Sequence, residues 1–521
     1  MGFAQDQSMQ PPCRSRDFIA THALLPVPEP TIHLMVTGNS LPETSLQESE
    51  NQSAEKSTTG LWHRLHPARL LGVQRGTILA KVGPWVHRGG FAVLDQGLIS
   101  GSNFLVSILL ARWLVPDQYG AYAVAFGIFV LLSVVYQALV LEPMAVFGGS
   151  CYRDGLRGYV LSLLWIHLTI SLVMIAAIGS AALIAREFSH SAVLAGALAG
   201  IMIASPCVLI FWLVRRAFYL GLAASKAALG ALVYSSLSMG GLYLLYHRGL
   251  LSPFTAFALM GLAALGTALY NFIRLWGQLA DSAPAPRVRE SWSKHWTYGR
   301  WALASSVANW IPAYVYYPLL STFAGMAASG QLKAVMNFML PIEQVKAALA
   351  LLFLPYAARI QAQRGSSSVG QLSTRLTFVS VGIAGAYWTT ILVFRHPLFH
   401  FLYSGRYSEV AHLLPAVAFG SIIWSACFGP ATALRAMESP ASVFAAYALA
   451  TFLSLLIGVP AAWAFGVTGA VWGSNLADVL SWVIVFIVLR RKITGRVGAL
   501  ERWIRWKTPR TALLPDELPA E

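Results

Sequence analysis

Charge is the scarcest ingredient of this sequence: only 11% of its 521 residues are Asp, Glu, Lys or Arg. Soluble globular domains carry roughly a quarter, so a chain of this size lacks the polar surface that water demands. Its four cysteines, Cys13, Cys151, Cys207 and Cys427, are scattered, with no CxxC and no His/Cys cluster. That excludes a disulfide-stapled small fold and a structural zinc site. No GxxxxGK[ST] loop is present, which excludes ATP hydrolysis by that route. Large aqueous insertions are missing too, and only the connection 274–300 holds two acids, Asp281 and Glu290. A membrane-bound glycosyltransferase or hydrolase needs a larger catalytic loop with paired carboxylates. The sequence therefore reads as a non-enzyme, with no metal and no cofactor.

What is abundant is hydrophobic surface, at 56% of residues and a mean hydropathy of +0.59. A bilayer-spanning helix takes ~20 apolar residues. Twelve such stretches are marked by hydropathy, near 91–111, 121–146, 159–184, 191–213, 219–245, 252–273, 301–322, 334–357, 376–394, 411–433, 442–463 and 467–489. The expectation is an all-α polytopic membrane protein of about twelve transmembrane helices. Segment 274–300, with Pro284, Pro286 and a cluster of charges, is the natural midpoint linker. It separates six-helix bundles at 91–273 and 301–489. Residues 1–60, rich in Pro, Ser, Thr, Gln and Glu, cannot bury enough apolar surface to offset their ordering entropy and read as disordered. Residues 61–90 form a basic juxtamembrane segment, and 490–521 a basic tail in which 498–508 suits a helix lying on the membrane surface.

The formal net charge is +15. Residues 1–60 hold seven acids and three bases, which leaves +19 on the remainder. This excess falls between hydrophobic runs, where it sets topology and attracts anionic lipid rather than nucleic acid. Thirteen Lys/Arg occupy five alternate connections; the other six connections share six, Lys333 among them. The richer side stays cytoplasmic, so both termini are expected there. Both halves then start on the same side, as parallel repeats would. Asn103-Phe104 echoes Asn309-Trp310, and Arg216-Ala217 echoes Arg435-Ala436.

Ionisable groups within a bilayer cost roughly 2.5–3.5 kcal/mol each at its centre, so they face a cavity or a partner. Asp95 and Asp478 have no partner within a helical turn and are the candidates for coupling a proton or cation. Glu343 and Lys346 share a helix face at i, i+3, as an ion pair or as substrate contacts. Asn103 and Asn309, at equivalent depths of helices one and seven, are helix–helix glue or cavity-lining groups. Pro312 and Pro318 allow helix seven to bend. Its Tyr314, Tyr316 and Tyr317 suit a sugar-binding wall or ordinary aromatic packing.

The run from Gln96 to Tyr122, QGLISGSNFLVSILLARWLVPDQYGAY, resembles the opening of the O-antigen and exopolysaccharide (Wzx-like) flippases. These belong to the multidrug/oligosaccharidyl-lipid/polysaccharide (MOP) exporter superfamily. The resemblance rests on Leu110-Ala111-Arg112, Pro116 and Tyr119-Gly120 with Tyr122. It continues from Tyr298-Gly299-Arg300 through Ser305-Ser306 and Asn309 to Gly330, then Pro355 and Leu402-Tyr403 to Tyr407. It covers roughly residues 90–490. It implies a V-shaped, MATE-like pair of bundles that passes a polyprenyl-pyrophosphate-linked oligosaccharide across the bacterial inner membrane by alternating access. Implied partners are that lipid-linked oligosaccharide, anionic membrane lipids, and a polysaccharide polymerase or other assembly proteins. Arg215, Arg216, Lys226 and Arg300 would attract the pyrophosphate at the cytoplasmic mouth. The chain departs from the family in having Tyr316-Tyr317 where many relatives place a charged pair. It also offers only Lys346 and Lys226 as cations within spans. Rival readings are a cation-coupled multidrug antiporter of the same fold and another twelve-helix secondary transporter. The major-facilitator loop pattern is missing from GGSCYRDGLRG at 148–158. A scaffold for polysaccharide assembly is the non-transporting alternative.

Overall fold

In the computed structural model, residues 75–495 are described apart from 188–190, 222, 278, 280–281, 283 and 438–439. The expected disordered segment 1–60 and the surface helix 498–508 lie outside the described residues. The described part from Val86 onward forms one unit.

The first half holds α1 (Arg75–Trp113), α2 (Pro116–Tyr136), a π-helical turn (Gln137–Leu141), α3 (Glu142–Gly148), α4 (Leu156–Glu187), α5 (Ala192–Leu220), α6 (Ala224–His247) and α7 (Pro253–Trp276). The second holds α8 (Val288–Tyr314), α9 (Tyr316–Phe323), α10 (Met326–Met336), α11 (Leu340–Val393), α12 (Arg395–Tyr403), α13 (Leu414–Ala436) and α14 (Pro440–Ile493). Local chemistry sets several starts. Pro116 opens α2 with Asp117 in its first turn, where a fixed φ and a negative charge both suit a helix N-terminus. Ser252 and Thr255 close a capping box over α7, which satisfies donors the helix cannot.

Ten helices are long and apolar enough to cross a membrane among the described residues. The apparent shortfall from twelve has two physical causes. The 52-residue stretch Ser442–Ile493 reverses at Gly466, where φ is 57°, a left-handed conformation that side-chain-bearing residues avoid. It therefore holds two of the expected stretches. The seventh expected stretch is divided between the last 14 residues of α8, 301–314, and the eight-residue α9, so neither piece alone is long enough to span; α8 begins as early as Val288 with a charged first half that carries Arg289, Glu290 and Lys294. Half of the expected linker 274–300 is thus helix. It is anchored by His295, whose ring nitrogens meet the Tyr159 hydroxyl at 2.7 Å and the Leu139 carbonyl at 2.9 Å.

Lipid replaces water as the outer solvent. On α4, Leu161, Trp165, Leu168, Leu172 and Val173 are all exposed, a helical stripe that only hydrocarbon would cover. Prolines inside spans free the carbonyl four residues earlier, and hydroxyls from neighbouring helices take it up. Thr451 donates to the Ala308 carbonyl opened by Pro312 at 3.0 Å, and Thr377 to the Ala426 carbonyl opened by Pro430 at 3.4 Å.

The two halves seal against each other at one end. Gly120 lies so close to the Met326 carbonyl that no Cβ would fit. Asn337 donates to the Tyr119 hydroxyl at 2.9 Å and accepts from Ser107 at 3.0 Å, while Tyr403 donates to the Ala334 carbonyl at 2.8 Å. Arg112 reaches the Phe401 carbonyl at 3.1 Å and Arg406 the Leu114 carbonyl at 2.5 Å. At the buried centre of this latch Asn337, Tyr119, Ser107 and Tyr403 are paired with one another or with backbone, which makes their low-dielectric setting stabilising rather than costly.

Candidate functional site

A cavity of about 370 Å³ lies between the halves. Val130 and Val134 of α2 form one wall; α8 to α11, α13 and α14 form the rest. Asn309, Tyr314, Tyr317, Glu343 and Asp478, all expected on sequence grounds, line it together. Trp310 donates to the Gly127 carbonyl at 3.1 Å and stacks on Tyr314 with centroids 6.0 Å apart. Ser474 donates to the Pro312 carbonyl at 3.2 Å, which ties α8 to α14.

Lys333 is the cationic residue that sequence reasoning misplaced. Counted there as a loop charge, it sits in α10 at 3% exposure, and it lines the cavity. Its ammonium rests 4.2 Å from the Phe126 ring centroid. Among the described residues it has neither an ion pair nor a hydrogen bond. Lys333, Asn337 and Gln344 recur at helical spacing, a pattern visible in the sequence had the eighth span been started one turn earlier.

The other charges divide into paired and open. Lys346, 8% exposed, contacts Glu343 at 2.7 Å and lies 5.2 Å from the Trp424 ring centroid. The i, i+3 pair expected there forms. Asp478 is half-buried on the cavity wall, packed against Gly420, and makes no hydrogen bond or ion pair among the described residues. Neighbouring Asn475 donates to the Ala416 carbonyl at 2.8 Å, so it binds helices together.

Asp95 is different. It is fully buried, and Arg215 donates through Nε to both carboxylate oxygens at 2.9 and 2.8 Å and approaches through Nη2 at 2.5 Å. The Tyr219 hydroxyl donates to it as well. Its partner was absent from its own helical turn because it lies on α5. Arg215 also donates to the Gln96 side-chain oxygen Oε1 at 3.2 Å. Gln96 and Ser100 in turn donate to Gln344 of α11 at 3.3 and 2.9 Å, so the network ties the two halves.

The remaining candidates scatter. Asn103 lines a separate cavity within the first half. Tyr316 turns away from the main cavity; its hydroxyl fills space left by Gly458 and Gly473, where a Cβ would lie 2.1 and 2.4 Å from it. Arg216, like Arg435 of the other half, is within electrostatic range of Glu142. Lys226 is half-buried in the first turn of α6, and Arg300 is exposed on α8.

No family model matches the sequence, and no curated relative does either. Solved structures do match. An inward-facing multidrug resistance MATE family transporter of the MOP superfamily superposes with a TM-score of 0.65 at 14% identity, covering 78% of this chain and 98% of its own. An outward-facing MATE family transporter of that superfamily gives 0.57 at 14%, covering 79% and 96%. The lipid II flippase MurJ in an inward closed conformation gives 0.60 at 11% identity, covering 78% and 87%. The chain is a multi-pass membrane protein with the fold of the MOP-superfamily transporters.

Proposed function

We propose that this protein is a flippase that carries a polyprenyl-pyrophosphate-linked oligosaccharide across the bacterial inner membrane by alternating access. The observation that carries this reading is Lys333, a buried lysine on the wall of the central cavity with no ion pair or hydrogen bond among the described residues. Removing a charge from water costs several kcal/mol unless an opposite charge meets it. An anionic head group supplies that partner, and Lys333 answers the shortage of intramembrane cations that set this sequence apart from the polysaccharide flippases it resembles. The aromatic and polar lining around Asn309, Tyr314 and Tyr317 suits sugar rings, while the prenyl tail stays in lipid.

Both termini are assigned to the cytoplasm, and the latched end around Gly120 and Asn337 then faces the periplasm. That assignment accords with the better superposition on the inward-facing transporter. Arg216, Lys226 and Arg300 remain the proposed cytoplasmic attractors of pyrophosphate; Arg215 is engaged by Asp95 and no longer counts among them. The basic segments would contact anionic lipids, and a polymerase or other assembly proteins would receive the product.

Deleting the protein in a strain with no second flippase should trap lipid-linked repeat units on the cytoplasmic leaflet. Normal surface polymer would reject the reading. Asp478 favours one alternative, a cation-coupled multidrug antiporter, because an open carboxylate on the same wall suits a cationic drug or coupling ion. Increased accumulation of a cationic dye in the deletion strain, with polysaccharide intact, would select it.

A further inference from the structure

The second cavity, about 310 Å³, lies wholly within the first half, inside the roughly 300–1,000 Å³ range of small-molecule sites. Its walls are chiefly Phe126, Phe129, Trp212 and Tyr234, with the amides of Asn103 and Gln137 among them. Neither amide makes a hydrogen bond among the described residues. Gln137 begins the π-helical turn that widens the end of α2, a distortion that frequently marks functional positions. Phe126 lines this cavity and carries the Lys333 ammonium on its ring. Val130 and Val134 line both.

The lining selects a ligand class by exclusion. Among the described residues no charged side chain lines this cavity, so a phosphate finds no cation here and a drug cation no carboxylate. Asp95, two helical turns from Asn103 on the same face of α1, is already enclosed by Arg215 and Tyr219. A purely apolar chain would bury both amides without partners, which is unfavourable. An uncharged sugar ring satisfies both features, with C–H faces for the aromatic rings and hydroxyls for the amides.

We infer that this cavity is a neutral-sugar subsite, which receives the first uncharged sugars of the ligand whose anionic group Lys333 holds across Phe126. The inference rests on the flippase reading above. The test measures binding of two probes to the full chain in nanodiscs: a bare polyprenyl diphosphate, and the same lipid bearing a neutral disaccharide. Wild type should bind the glycosylated lipid about tenfold more tightly. The Asn103→Ala/Gln137→Ala double variant should lose that difference while its affinity for the bare lipid changes less than twofold. Trp212→Ala should reduce the same difference and Trp212→Phe should retain most of it, which separates ring stacking from misfolding. Equal wild-type affinity for both lipids, or a preference that survives the double variant, overturns the subsite and leaves the flippase reading standing. Failure of wild type to bind either lipid overturns both.

Discussion

Asp95 and Asp478 have the same side chain, both lie within spans, and both are candidates for a coupling site on sequence grounds. Their surroundings give them different work. Asp95 is closed off by Arg215 and Tyr219 in the first half, and through Gln96 and Gln344 it helps tie that half to α11. Asp478 sits on the wall of the central cavity with no ion pair among the described residues. A buried carboxylate with every acceptor site filled is a structural element, whereas one facing a cavity is available to a moving ion or ligand.

The sharpest way to break this comparison is Asp95→Asn, which leaves the Arg215 guanidinium without its counter-charge. Removing one member of a buried pair typically costs about 3–5 kcal/mol, so thermal unfolding in detergent should show a large loss of stability. Adding Arg215→Gln should restore much of it. An Asp95→Asn protein as stable as wild type would put Asp95 back among the exchangeable sites.

Lys333→Gln comes next. Losing one charge-assisted hydrogen bond of about 1.5–3 kcal/mol lowers affinity for polyprenyl diphosphate roughly tenfold to a hundredfold. Because Lys333 has no ion pair or hydrogen bond to abandon among the described residues, only its contact with the Phe126 ring, stability should change by less than about 1 kcal/mol. A variant that unfolds while its residual folded fraction binds normally would assign Lys333 to packing.

Thr451→Val orphans the Ala308 carbonyl opened by Pro312 and should cost about 1 kcal/mol of stability. It should also weaken binding, because α8 carries Asn309 and Tyr314. Smallest in stability is Asp478→Asn, with a change below about 1 kcal/mol, since no pair is broken. Its expected signature is transport that no longer responds to an imposed proton or sodium gradient. An unaltered gradient response would remove Asp478 from coupling.

Much of the architecture was legible because hydropathy and the bilayer's thickness act on each span alone. That Pro312 lies inside a helix and frees a backbone carbonyl was legible for the same reason: proline's effect is local. Where legibility failed, the cause was long-range. Nothing near Asp95 reveals that its partner lies 120 residues on, at Arg215. Lys333 was read as a loop charge because it stands one residue before the apolar stretch 334–357, whereas here the close approach of α10 to α2 at Gly120 keeps it inside. Tyr316 looked like its neighbours Tyr314 and Tyr317, and only the packing of Gly458 and Gly473 on α14 sets it apart.

The most direct test of the flippase reading is a leaflet-exposure assay on reconstituted vesicles. They carry a fluorescent polyprenyl-diphosphate oligosaccharide, and a membrane-impermeant quencher reports which lipids have crossed. The account predicts rapid movement of the lipid between leaflets with wild type and a rate at least tenfold lower with Lys333→Gln, at equal amounts of folded protein. Equal rates for the two proteins, or no movement with wild type in vesicles where it expels a cationic dye, would contradict it.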